Sequence, residues 1–427
     1  VTQTPPIDVD PAAAVTATPS DLQDERLIRP TGVRENLNAQ IKRVRTGDLG
    51  SLPVIIGLVV IFIIFQALNS AMLGPENLTD LLIGATSVGV TAIGIVLVLL
   101  LGQIDLSVGS MAGLSSAIFG VLLTRGHWPE WAIIIAALAA GALVGLLYGF
   151  LFVRFGVPSF VITLAGLLSL LGLQLFVLGP LGTINIPFTS FLVNFSLLDY
   201  VPTWLALVLV VIAAAGYAAS ALLSSRQRAK AGLSAPGATG ILVKAAVLLV
   251  GLAAIVLYLG TGGDVAGVGD SFLLFVILVV IMAYVLKRTK WGRSVYAVGG
   301  NVEAARRAGI RVNRVYVSVF VLCSMFAALG GLLYAGHLGS AGLDSGTGDY
   351  NLDAIAAAVI GGTSLFGGRG SAWSALLGIL VIWSISNGLQ LVSLDSSIRY
   401  MITGAVLLLA VIVDALSRRS RAAAGRA

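Results

Sequence analysis

Apolar runs of about 18 or more residues recur along this chain, each long enough to cross the ~30 Å hydrocarbon core of a bilayer as a helix. That recurrence predicts an all-α polytopic membrane protein. Composition agrees: 57% of the residues are hydrophobic and only 11% are charged, where a soluble chain carries roughly a quarter charged residues. The formal charge of +6 is not read as a nucleic-acid signal, because the basic residues fall between the apolar runs, where they set orientation. Cys323 is the single cysteine and lies in an apolar run. It can make no internal disulfide and implies no metal site.

The runs place spans near 51–73, 81–101, 109–124, 131–153, 158–180, 202–223, 240–260, 271–287, 316–338, 352–367, 371–391 and 398–416, about twelve transmembrane helices in a permease-sized domain of 51–417. Residues 1–50, rich in Pro, Ala, Thr, Asp and Arg, read as a disordered cytoplasmic arm with no cleavable signal. Lys42, Arg43 and Arg45 ahead of the first run, and Arg418, Arg419, Arg421 and Arg426 in the tail 418–427, predict both termini cytoplasmic. The loops test the alternation. Those expected inside (102–108, 154–157, 224–239, 288–315 and 368–370) hold Arg154, Arg226, Arg228, Lys230, the basic stretch 287–315 and Arg369. Those expected outside (74–80, 125–130, 181–201, 261–270, 339–351 and 392–397) are acidic, with Arg125 their single Lys or Arg. The run 352–367 is short and contains Gly361 and Gly362; a crossing, which the glycines could break, is preferred there over a dip that returns to the same face, because a dip would put the arginine-rich tail outside. Gly141, Gly145 and Gly149 recur every fourth residue on one run, the spacing that brings helix backbones close.

Catalytic signatures are missing. None of Lys42, Lys230, Lys244, Lys287 and Lys290 follows a glycine, so the chain has no GxxxxGK[ST] phosphate loop. It has no GxSxG or HExxH pattern, and His127 and His337 do not form a metal pair. The chain is therefore read as no enzyme, with no cofactor of its own. An ion-gradient-coupled carrier of a small neutral solute is the rival reading. Such carriers keep ionisable groups at mid-membrane, whereas here the spans hold neutral polar groups such as Gln174 and Asn387, and Asp105 lies at a loop mouth.

The stretch KRTKWGRSVYAVGGNVEAARRAGIRVNRV at 287–315 is unusually long and hydrophilic for this chain. Glu303, Ala304 and Ala305, with Gly309 four residues on, suit a short helix that another protein approaches closely and that the glycine terminates. Four segments then occur in order: GQIDLSVGS at 102–110, GVPSFVITLAG at 156–166, WGRSVYAVGGNVEAARRAGI at 291–310 and NLDAIAAAVIGGTSLFGGRGSAWSALLG at 351–378. Together they resemble the permease subunits of monosaccharide ABC importers of the ribose, xylose and galactoside type, and the length is closest to the xylose type.

The resemblance implies a bacterial inner-membrane permease that works as two copies. Its partners would be a cytoplasmic ABC ATPase, which binds the ATP, and an extracytoplasmic sugar-binding protein. It makes Gly299, Gly300, Asn301, Glu303, Ala304, Ala305, Arg306 and Gly309 the ATPase-coupling residues, with Ala304 and Ala305 as the close-contact face and Glu303 capping the helix or pairing with the ATPase. It reads 202–270 as an insertion of two spans that leaves the orientation of later segments unchanged. Asp105, Ser107, Gln174, Gly361, Gly362 and Asn387 are candidates for the translocation pathway. For Asp105 and Ser107, capping of the following helix is favoured over sugar contact. The expected substrate is xylose or a related pentose.

Overall fold

The computed structural model describes residues 52–393 and scattered positions from 395 to 412. The expected arm 1–50, the tail 418–427 and most of the last expected span lie outside the described residues. Helices follow the apolar runs: α1 Leu52–Leu68, α2 Pro75–Leu100, α3 Val108–Thr124, α4 Glu130–Phe155, α5 Ser159–Leu178, α6 Thr203–Lys230, α7 Ala238–Leu259, α8 Asp270–Arg288, α9 Lys290–Gly300, α10 Val302–Arg307, α11 Val312–Leu338, α12 Asp349–Ile360 and α13 Trp373–Leu391. Eight of these (α2, α4 to α8, α11 and α13) are long and apolar enough to cross a membrane. The chain is a polytopic helical membrane protein.

The described residues form two units, Trp204–Val256 and the remainder. The first holds most of α6 and α7. Their connection turns at Gly232, where φ is +66°. Arg228 Nε donates to Ser234 O at 2.8 Å and Ser225 Oγ donates to Pro236 O at 2.8 Å across it.

In the larger unit, α2 is apolar all round and is buried at every residue from Ile83 to Leu100. Gly94 lets α11 cross it, since a Cβ there would stand 2.8 Å from Cys323 O. Gly141, Gly145 and Gly149 of α4 face Ser324, Phe320 and Val317 of α11, so the four-residue glycine spacing forms a backbone-to-backbone seam. Such close approach is what holds helices together where lipid supplies no hydrophobic drive.

The connections gather at two ends. At one, antiparallel strands β1 (Thr183–Asn185) and β4 (Ser340–Gly342) pair with Ile184 opposite Ala341. There too β2 (Tyr200–Val201) pairs antiparallel with β3 (Val268–Gly269). Glu130 accepts from Ser190 Oγ and from the N–H groups of Phe191 and Leu192, and Asn69 Nδ2 donates to Leu391 O at 2.8 Å. At the other end, Gly368 N–H donates to Leu100 O at 2.8 Å and Tyr296 Oη donates to Gly370 O at 2.9 Å. These contacts join acidic connections to acidic ones, and the 100–102, 290–300 and 366–370 segments to each other.

The segment 343–370 departs from a regular span. Its helix, α12, has 12 residues and so measures ~18 Å, well short of a ~30 Å core. The expected helix over 352–367 stops at Ile360 because Gly362, Gly367 and Gly368 take φ of +102°, +84° and +72°. From β4 through the first turn of α12 the chain dips inward. Asn351 Nδ2 donates to Leu106 O at 2.8 Å, and Gly346 lies against Gly109 and Gly113.

Candidate functional site

The basic stretch folds as two short helices. Thr289 caps α9, its Oγ1 accepting from Gly292 N–H, and Gly292, Val295 and Val298 form its buried face at three-residue spacing. Asn301 caps α10 by accepting from Ala304 N–H at 2.9 Å. The helix ends in a Schellman turn: Ile310 N–H bonds Ala305 O, Gly309 N–H bonds Arg306 O, and Gly309 has φ +79°. Asn301, Glu303, Ala304, Arg306, Arg307, Ala308 and Gly309 are exposed along α10 and its two caps.

Two sequence expectations change here, on the alanine pair and on Glu303, and Gly299 is placed. Ala305 is 3% exposed and turned toward its own chain, so Ala304 and not the alanine pair faces outward. Glu303 does not cap α10, because the Asn301 side chain already does; Glu303 pairs with Arg306 Nη1 at 2.7 Å, both side chains well exposed. Gly299 is enclosed. A Cβ there would overlap Leu100 O and stand 2.8 Å from Gly368 N, whereas at Gly300 nothing lies within 4 Å. Gly299 therefore closes a junction in which α9 meets the end of α2 and the turn between α12 and α13.

Asp105 and Ser107 lie in the loop between α2 and α3, both buried. Asp105 Oδ1 accepts from Ser107 N–H at 2.8 Å and from Ser107 Oγ at 2.7 Å, and Oδ2 faces Cys323 Sγ at 3.7 Å. Burial pushes the Asp105 carboxyl above its ordinary range, and the Ser107 hydrogen bonds act in the opposite direction. Ile104 and Leu106 N–H donate to Ser159 Oγ and Thr163 Oγ1 of α5, so the loop's backbone is satisfied inside protein. Ser107 occupies the cap position of α3 without a side-chain capping bond. Asp105 accepts only from Ser107 itself, so the expected capping of α3 by these two residues is not made; the pair braces the loop instead.

Gln174 is fully buried and donates to Gly342 O and Ser345 O, fixing the inward dip. Gly361 abuts the backbone of Ser374 at the start of α13, and Gly362 forms the turn after α12. Of the six pathway candidates, Asn387 lines the cavity between α2 and α13, and Asp105, Ser107, Gln174, Gly361 and Gly362 are not among its lining residues.

That cavity, about 960 Å³, opens among α2, α11, the 344–353 segment and α13. Asp80, Ile83, Gly84 and Val88 line it from one face of α2, and Trp383, Ser386, Asn387 and Gln390 from one face of α13. The aromatic side is made by Trp383, Tyr334 and Tyr350, with the two tyrosine rings edge-to-face at 5.3 Å. Part of this lining is framework. Asn77 and Asn387 exchange two amide hydrogen bonds of 3.0 Å, and Tyr350 Oη bonds Thr91 Oγ1 and Ser87 O. Sequence reading missed Trp383, Ser386 and Gln390, although their spacing with Asn387 marks one helical face. Among the described residues no group of three or more His, Cys, Asp or Glu is placed to hold a metal.

Residues 77–411 match the family model described as branched-chain amino acid transport system / permease component. The chain is 33% identical to the xylose transport system permease protein XylH of Escherichia coli (strain K12) over 87% of its length and 93% of the relative's. It is 32% identical to the ribose import permease protein RbsC of Bacillus subtilis (strain 168), covering 89% and 98% of the two. It is 30% identical to the fructose import permease protein FrcC of Rhizobium meliloti, covering 87% and 88%. No solved structure matches the chain.

Proposed function

This chain belongs to the family described as branched-chain amino acid transport system / permease component, and on that premise we propose that it imports a monosaccharide, xylose or a related pentose, as the permease subunit of an ABC importer. It is a multi-pass protein of the bacterial cytoplasmic membrane and not an enzyme. The observation that carries the sugar reading is similarity over 87–89% of the chain to permeases named for xylose, ribose and fructose. The family's own description names branched-chain amino acids. The cavity is consistent with sugar over that class in one respect: no lysine or arginine lines it to pair with an amino acid's carboxylate.

In this reading ATP is hydrolysed by a separate cytoplasmic ATPase. Its groove takes the exposed side of α10, with Ala304 at the contact and Arg306, Arg307 and Arg311 at its rim. Gly299 and Gly300 pass the motion inward, while Asn301 and Gly309 hold the shape of α10. The end of the molecule bearing α9 and α10 is then cytoplasmic, and the end bearing the β-strands faces an extracytoplasmic sugar-binding protein. Twelve spans with both termini inside, two permease copies around a shared path, and α6 with α7 as a two-span insertion complete the proposal. The separation of Trp204–Val256 as its own unit supports the insertion.

The test is accumulation in proteoliposomes holding the permease, its ATPase and the binding protein. Xylose should concentrate when ATP is supplied inside and should continue to do so after an uncoupler collapses the proton gradient. Accumulation that stops with the uncoupler while ATP persists would establish the ion-gradient carrier instead.

A further inference from the structure

The cavity wall divides into groups whose hydrogen bonds are made within the protein and groups whose bonds are not. Asn77, Asn387, Tyr350 and Thr347 belong to the first set. Asp80, Trp383, Ser386 and Gln390 belong to the second: none makes a side-chain hydrogen bond among the described residues. These four come from the facing sides of α2 and α13. Gly84 lets the indole of Trp383 pack against α2, one turn from Asp80, since a Cβ at residue 84 would stand 2.5 Å from Trp383 Nε1. An aromatic ring therefore shares the wall with a carboxylate, a hydroxyl and an amide, and the reciprocal Asn77–Asn387 pair locks the helices that carry them.

Resting on the import reading, we propose that this wall is a binding site for one neutral monosaccharide in ring form. The C–H face of the ring lies on the Trp383 indole, which supplies apolar contact in a fixed orientation. Asp80 accepts hydrogen bonds from two neighbouring hydroxyls, a geometry a carboxylate provides with its two oxygens. Ser386 and Gln390 complete the hydroxyl contacts. No lysine or arginine lines the cavity, so an anionic sugar acid of the same size finds no counter-charge there. The volume stands at the upper end of the ~300–1,000 Å³ usual for small-molecule sites, so one sugar touches one wall and is held weakly. Weak holding suits a conduit, where a solute must enter and leave. The permease thus inspects the sugar a second time, after the binding protein has released it.

The experiment uses the permease–ATPase complex in nanodiscs, without binding protein, and saturation-transfer NMR with millimolar xylose and, separately, its aldonic acid. Xylose should receive saturation from the native complex and the acid should not. The xylose signal should fall about tenfold in Trp383→Leu, equivalent to ~1.4 kcal/mol of contact. It should weaken in Asp80→Asn and be retained in Trp383→Phe, which keeps an aromatic plane. Each variant is accepted for comparison only if it still binds the ATPase and supports ATP hydrolysis. No transfer to xylose in the native complex, or equal transfer in the Trp383→Leu/Asp80→Asn double variant, overturns the site. A native complex that accumulates xylose in proteoliposomes yet shows no transfer sinks this inference and leaves the import reading standing; one that accumulates no sugar sinks both.

Discussion

Gly309 sits at φ +79° with open space around its Cα, so a side chain there is opposed by backbone strain and not by crowding. Gly309→Val should cost roughly 1–3 kcal/mol locally, loosening the Schellman turn that closes α10. Gly309→Asn should be tolerated, because asparagine enters the left-handed region readily. We expect the valine variant to reach the membrane at normal abundance and lose sugar uptake, with the asparagine variant close to native. Equal uptake by both would move the coupling surface away from α10. Asp105 makes a different kind of prediction. Asparagine keeps the oxygen that accepts from Ser107 and removes a buried charge, so Asp105→Asn should lower uptake only modestly. Asp105→Leu leaves the Ser107 N–H and hydroxyl without their acceptor, at about 1–3 kcal/mol for each buried orphan, and should lower the amount of folded protein in a detergent-stability assay. A collapse of concentrative uptake in Asp105→Asn, with the protein stable, would mean the carboxylate carries protons.

At the scale of elements, the junction of α9 with the end of α2 and the α12–α13 turn is made by backbone and one tyrosine hydroxyl. Gly368 N–H to Leu100 O and Tyr296 Oη to Gly370 O are its bonds, and Gly299 is the residue whose missing side chain permits them. On the proposed docking of an ATPase at α10, a shift of α10 would reach α12 and α13, and with them Tyr350 and Trp383, through this contact. Gly299→Ala should therefore separate the two halves of the cycle, the complex assembling while hydrolysis no longer rises when sugar-loaded binding protein is added. Gly300→Ala, with nothing within 4 Å of the new methyl, is the matched control and should couple normally. Both variants behaving alike in ATPase assays would show that the junction is packing alone.

For the whole molecule, the proposed sidedness is tested by labelling. With Cys323→Ser as background, a cysteine replacing exposed Thr261 should react with an impermeant thiol reagent added outside, and one replacing exposed Ala231 only after the membrane is opened. The reverse pattern would invert the connection between α6 and α7 and remove α10 from the cytoplasm. The positions of the apolar helices in 52–393 other than α12 were legible in the chain itself, because a bilayer core forces each apolar run of sufficient length to close its own hydrogen bonds as a helix; α9, in a basic stretch, was not. The α4 seam was legible for a related reason: glycines every fourth residue can face only one neighbour. The segment 301–309 was legible as a short helix ended by a glycine, since caps and turns are local chemistry. Which of its side chains face outward was not, and Ala305 and Gly299 turned inward because the partner that buries each comes from elsewhere in the sequence. The cavity was the least legible part. Asp80 and Trp383 are separated by some 300 residues of chain, and only the crossing of α2 and α13 at Gly84 makes them neighbours. Periodicity reports which face of a helix is polar; what that face meets is decided by packing, which no local run of sequence contains.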